Sequence, residues 1–175
     1  MHLGITNSKF YNFKIASLFI KAKALTWQIK AFGPRISDYD GYFQNKGKKT
    51  FQITESLEDK DIKDRIAKGV RAKVGIGSAG IVNFNSERTL NNIKNKCNKK
   101  QCADVLFVVE HCFDYPEMNL LAIDFFNHFR KCNKEFLKET PFKEIWLLNI
   151  EIPNISSNDK ELIDNLSLKE LFQLK

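Results

Sequence analysis

The sequence predicts an α/β domain built on a mixed sheet, and three observations carry that expectation. Residues 103–109, Ala-Asp-Val-Leu-Phe-Val-Val, form a near-continuous apolar run, which is how a strand covered on both faces reads. A second run of this kind, Glu144 to Ile150, follows a segment of helical period, so the two strands and the intervening helix make a βαβ unit. Upstream, three short β-prone segments are separated by turn residues, the pattern of an antiparallel meander.

Each element follows from its own residues. Asn7 or Ser8 caps a helix running to about Leu25, with Phe10, Phe13, Leu18, Ile20 and Leu25 among its apolar positions and the lysines on or beside its outer face. Gln28 to Phe32, Tyr39 to Gln44 and Thr50 to Thr54 are the three strands, punctuated by Gly33-Pro34 and by Asn45-Lys46-Gly47-Lys48. Between Glu58 and Lys73 the apolar residues Ile62, Ile66 and Val70 recur at four-residue spacing in a charged context, which predicts an exposed amphipathic helix. Gly75 to Asn85 is a glycine-rich, irregular stretch. Ser86 then caps a helix whose Leu90 and Ile93 face inward.

Ala103 to Val109 is the expected central strand. Asn119 to Phe136 is helical, with Leu121, Phe125, Phe129 and Cys132 in phase. Pro153 closes the βαβ unit, and Ser157 to Leu174 reads as a last helix with Leu162, Leu166, Leu168 and Leu171 apolar. Residues 1–175 are expected to form one domain, with a core over about 8–152 and a C-terminal helical extension over 156–175.

Charge narrows the partner class. Twenty-eight Lys and Arg against 21 Asp and Glu give a net charge of +7, and the segment from Met1 to Ser37 carries Lys9, Lys14, Lys21, Lys23, Lys30 and Arg35 with no acidic residue. A block of one sign makes a field that attracts polyanions, so nucleic acid or an anionic membrane surface is the natural partner class. The apolar run Ile15 to Ile20 is too short to span a bilayer and is followed at once by Lys21 and Lys23, so no membrane partner is expected.

Four cysteines in a chain of this length follow no secreted disulfide pattern and read as reduced thiols of a cytoplasmic protein. Cys97, Cys102, His111 and Cys112 do not suit a zinc site, because a strand between Cys102 and Cys112 would set them ~30 Å apart. Gly75-Ile76-Gly77-Ser78-Ala79-Gly80 fits G-x-G-x-x-G literally, but the residues around it lack the strand and helix that a dinucleotide site requires, and a glycine loop beside a substrate channel is the preferred reading.

The stretch that carries chemistry is Asp38-Tyr39-Asp40-Gly41, followed by Phe51-Gln52-Ile53-Thr54-Glu55. Strand alternation sends Gln52 and Thr54 to one face and Phe51, Ile53 and Glu55 to the other, so a carboxylate from one strand meets polar groups from its neighbour. Hard oxygen ligands that leave positions open for water and a phosphate oxygen are what metal-assisted phosphodiester hydrolysis needs.

These residues resemble the PD-(D/E)XK, or restriction-endonuclease-like, phosphodiesterase superfamily. That family has an aspartate on one strand and, beyond a hairpin, an acidic residue or Gln, any residue, and usually Lys. Its core order is helix, three strands, helix, strand, and the resemblance covers about Ser8 to Val109. It implies a restriction-endonuclease-like core and a nuclease, an endonuclease using Mg²⁺ or Mn²⁺ on DNA or RNA. Asp40 would match the motif aspartate, with Asp38 as its reserve, and Gln52 the second metal position. Thr54 stands where Lys is usual. Lys96 on the following helix is the candidate for the migrated lysine, with Lys94 and Lys99 as rivals, and Glu55 could turn inward at the strand end as an extra ligand. Lys9, Lys14, Lys21, Lys23 and Arg35 would hold the nucleic-acid backbone. A homodimer or a larger partner protein is compatible with such a role. The alternative is a nuclease-fold module without catalysis, binding nucleic acid or a protein, in which Gln52 and Thr54 mark the lost positions.

Overall fold

The computed structural model describes residues 9–33, 37–55, 86–112, 119–151 and 159–175. In chain order these form α1 (Lys9–Ala22), β1 (Gln28–Ala31), β2 (Gly41–Gln44), β3 (Lys48–Glu55), α2 (Ser86–Cys97) and β4 (Val105–Cys112). Then come α3 (Asn119–Cys132), α4 (Lys134–Glu139), β5 (Glu144–Glu151), α5 (Asp159–Asp164) and β6 (Ser167–Gln173). The predicted helix over Glu58 to Lys73 and the glycine stretch from Gly75 lie outside the described residues, as do Arg35 and the proposed caps Asn7 and Ser8.

One six-stranded sheet runs in sequence order, β1-β2-β3-β4-β5-β6. The first three strands are antiparallel neighbours, β3, β4 and β5 are parallel, and β6 returns antiparallel along β5. The predicted α/β class, meander and βαβ unit are therefore all present. β4 lies between two parallel partners, and its residues from Val105 to Glu110 are buried, which explains why it has no polar alternation. The meander needs Gly41, because a Cβ there would collide with the Phe51 ring and the Lys30 carbonyl across the ladder.

Each face of the sheet carries its own core. On one side Tyr11, Ile15, Ala16 and Phe19 of α1 pack on Phe43, Phe51, Phe107 and Trp146, with the Phe19 ring 4.9 Å from Phe107 and 5.4 Å from Trp146. On the other, Ile93 of α2, Phe126 and Phe129 of α3 and Leu137 of α4 cover Leu106, Val108, Ile145 and Leu147. Truncating one of these buried rings to Ala costs about 3–5 kcal/mol in comparable cores, so the two layers hold the sheet rigidly.

Three readings of the sequence are corrected by the packing. In α1 it is Tyr11, Asn12, Ile15, Ala16 and Phe19 that are buried, while Phe10 and Phe13 are exposed. The helix is apolar almost all round, so periodicity did not define its inner face; the fit of Phe19 among the sheet aromatics did. The single helix expected over Asn119 to Phe136 is two, broken at Asn133, whose side chain donates to the Phe129 carbonyl. Phe126, not Phe125, joins Phe129 in the core.

The third correction is the C-terminal helix. Only Asp159–Asp164 is helical, and Ser167–Gln173 is an edge strand. Its leucines mislead because a bulge between Asn149 and Ile150 shifts the register, so that Leu168 and Leu171 serve one core while Phe172 and Leu174 serve the other.

Candidate functional site

Asp40 sits where β2 begins. Its backbone N–H donates to Phe51 O (3.0 Å) and its carbonyl accepts from Phe32 N–H (2.8 Å), so the residue is fixed on both sides by its neighbouring strands. Beyond Gly41 the β2 ladder ends, and the next inward amide of β3, Ile53 N–H, is left without a strand carbonyl. The Asp40 carboxylate takes that place, with Oδ2 accepting from Ile53 N at 2.6 Å. Among the described residues its other oxygen accepts no hydrogen bond.

Gln52 and Thr54 share the face opposite α1, as alternation requires, and both are buried. Gln52 is fully enclosed. Its amide nitrogen donates to the Asp38 carbonyl at 2.7 Å and lies 3.4 Å from the Gln101 carbonyl, while its oxygen faces Ala103 N–H at 3.5 Å. The amide therefore ties the loop before β2 to the approach of β4. Asp38 contributes only that carbonyl; its side chain is exposed. Tyr39 reinforces the same tie, its hydroxyl donating to Gln101 Oε1 at 3.2 Å.

Lys96 approaches from α2. Thr89, Ile93 and Lys96 fall at i, i+4 and i+7, one stripe facing the sheet, and Thr89 and Ile93 are fully buried. Burial pushes the Lys96 ammonium below its ordinary value; the carboxylates of Asp40 and Glu55 act the other way, and the neighbouring Lys99 adds to the depression. Of the two rivals, Lys94 is exposed and stacks over the Phe136 ring at 5.7 Å, and Lys99 is exposed beyond the helix end.

Glu55 turns to the other side of the sheet. Its carboxylate lies beside Tyr11 of α1, where burial first, and then the Glu55 charge and hydrogen bond, drive the phenol well above its ordinary value. The Glu55 backbone carbonyl accepts from Asn92 of α2 at 2.8 Å, so both helices grip this strand end. Asp40, Glu55 and Lys96 thus share one electrostatic neighbourhood, but Glu55 and Asp40 reach it from opposite faces.

The predicted metal ligands do not converge as a set of three. Gln52 is committed to backbone partners, Glu55 faces Tyr11, and no group of three or more His, Cys, Asp or Glu side chains suited to a metal is found among the described residues. Of the predicted ligands, Asp40 alone keeps a free carboxylate oxygen on the Lys96 side. That donor set fits Mg²⁺ in its usual manner, held by one or two carboxylates and completed by water and substrate phosphate, and does not fit a closed protein cage.

The predicted phosphate-holding lysines do not gather at this site. Lys14 donates to the Asp164 carbonyl at 2.6 Å and Lys23 lies 4.7 Å over the Trp146 ring, both on the α1 side, while Lys9 and Lys21 are exposed. Other arrangements had no clear signal in the sequence. Asp104 clasps the starts of three strands: it accepts from Thr50 N and Oγ1 at 2.9 and 3.0 Å and pairs with Lys143 at 2.6 Å. Its carboxyl is held below the ordinary range by these donors against the effect of burial. Buried Glu110 accepts from Thr89 Oγ1 at 2.7 Å at the other end of β4. A cavity of about 610 Å³ beside α3 and α4 is lined by Arg130, Lys131, Lys134, Lys138 and Lys175.

No helix among the described residues is long and apolar enough to cross a membrane. No family model matches this chain, and neither the curated proteins nor the solved structures contain a significant match to it.

Proposed function

We propose that the chain is a divalent-metal-dependent nuclease with a restriction-endonuclease-like core. The observation that supports this most is that Asp40, at the start of β2, and Lys96, on the inward stripe of α2, lie within electrostatic reach of each other on one face of the sheet. A strand carboxylate facing a lysine that has moved from β3 to the next helix keeps both charges that the reaction needs. The order of α1, the three-strand meander, α2 and β4 agrees with that reading.

A bound Mg²⁺ or Mn²⁺ would polarise the scissile phosphoryl group and lower the pKa of a water. Asp40 would hold the metal, its carboxylate oriented by Ile53 N–H. Lys96 Nζ would offset the negative charge that develops on the phosphate oxygens, an effect strengthened by its partial burial. Gln52 acts through Asp40, by fixing the loop that precedes it. Thr54 presents a buried hydroxyl on the same face.

The second reading, a nuclease-fold module that binds without cutting, is favoured by one observation: the Gln52 amide is fully committed to structural hydrogen bonds. Incubating labelled single- and double-stranded DNA and RNA with Mg²⁺, Mn²⁺ or a chelator separates the two. The nuclease reading expects cleavage that requires the metal; intact substrates under every condition, with salt-sensitive binding retained, would favour the module.

A further inference from the structure

The sheet face opposite α1 is covered by α2, α3 and α4 over β4 and β5, but among the described residues no helix covers its outer part, on β1 and β2. Cross-strand register sets Lys30, Tyr42 and Thr50 in one row across three strands, with Lys48 and Gln44 in the next. Lys30 and Lys48 are exposed and their ammonium groups lie 5.9 and 4.3 Å from the Tyr42 ring centroid. The Phe32 ring is 5.9 Å away at 53° to it. Tyr42 and Phe32 are only half-buried.

Charge on this hairpin is distributed by face. Lys49, on the α1 side, is paired with Glu144. Lys30 and Lys48, on the open side, are paired with no carboxylate among the described residues. Two cations without a carboxylate partner among the described residues, held beside an aromatic ring on a sheet face, match a polyanion that also offers ring faces. A single strand does so, because its bases are unstacked and free to lie on an aromatic side chain; a duplex hides those faces within its stack.

We propose that the open face of β1 and β2, centred on Tyr42 and flanked by Lys30 and Lys48, binds single-stranded nucleic acid. Tyr42 lies two residues along the strand from Asp40, about 7 Å, on the same side of the sheet. A strand stacked there would extend toward Asp40. The inference deepens the nuclease reading, and rests on it for the identity of what is cut, but binding on this face stands or falls by itself.

Fluorescence anisotropy with labelled homothymidine and homouridine single strands and a mixed-sequence duplex, all in chelator, reads binding without cleavage. Tyr42→Ala is expected to weaken single-strand binding about tenfold and Tyr42→Phe to preserve it. The double variant Lys30→Ala, Lys48→Ala is expected to flatten the salt dependence for single strands by roughly 0.7 for each phosphate that is no longer neutralised. The homothymidine and homouridine arms tell DNA from RNA. Thermal melting reports whether Tyr42→Ala is folded, and the lysine variant, altered only at exposed positions, carries the test if it is not. Wild-type single-strand affinity in both Tyr42→Ala and the lysine pair, or equal losses on the duplex, would overturn the proposal. If binding follows these expectations while metal restores no cleavage, the platform is retained and the nuclease reading fails.

Discussion

Gln52 is the residue at which resemblance and geometry diverge. In the family pattern it occupies a metal-binding position, yet here its amide nitrogen points at carbonyl oxygens and its oxygen at an N–H. Converting it to the acidic residue usual in the family would set carboxylate oxygens against the Asp38 and Gln101 carbonyls inside a closed site. Gln52→Glu is therefore expected to lose stability, by about 1–3 kcal/mol in denaturant unfolding, and not to tighten metal binding. Calorimetric titration with Mn²⁺ on the same variant checks the second half.

Lys96 makes the opposite kind of prediction. A lysine whose pKa is lowered on folding binds fewer protons folded than unfolded between its two pKa values, so its charge costs stability below the folded pKa. That cost fades as pH rises towards the ordinary lysine value of 10.5. Lys96→Met should then melt no lower than the wild type near neutral pH, and its advantage should shrink at alkaline pH. Cleavage should fall about 100- to 1000-fold in the same variant, as when a charge-stabilising donor is removed. A variant that is both less stable and fully active would assign Lys96 a structural role.

At the scale of elements, α1 closes with an uncommon residue. Ala24 has φ 52°, with Ala24 N–H bonded to Lys21 O and Leu25 N–H to Ile20 O, the paired bonds of a left-handed helix terminus usually completed by glycine. An L side chain is strained there by roughly 1–2 kcal/mol. Ala24→Gly is expected to stabilise the protein by about 0.5–1 kcal/mol, after the greater freedom that glycine gives the unfolded chain is deducted. Thermal unfolding of the single variant measures it.

Elements were legible in the sequence where local pattern and tertiary environment agree. Residues 103–109 and 144–150 are apolar because they are covered on both faces, and Gly33 and Asn45 to Gly47 interrupt the meander where the chain turns. Ser86 with Ile93 gave the helix and its inner face together. The misreadings arise where leucines serve two cores at once, as in β6, or where a helix is apolar on several sides, as in α1. Within the candidate site, Asp40 and Lys96 come from the family resemblance. The Tyr11 contact with Glu55 could not be named from the sequence, since it joins residues from α1 and β3 that only the packed sheet brings together.

Across the whole molecule, the two faces of one sheet divide the work. The α1 side is an aromatic core beside which Lys23 stacks over Trp146 and Lys14 donates to the Asp164 carbonyl, and the far side carries Asp40, Lys96 and the surface around Tyr42 that no described helix covers. The most direct test of this account compares the wild type with Asp40→Ala on labelled single- and double-stranded DNA and RNA, with Mg²⁺ or Mn²⁺ present, following cleavage and binding in parallel. Metal-dependent cleavage by the wild type, lost in Asp40→Ala while binding persists, is the predicted result. Cleavage that survives the loss of Asp40, or that never occurs in the wild type, would contradict it.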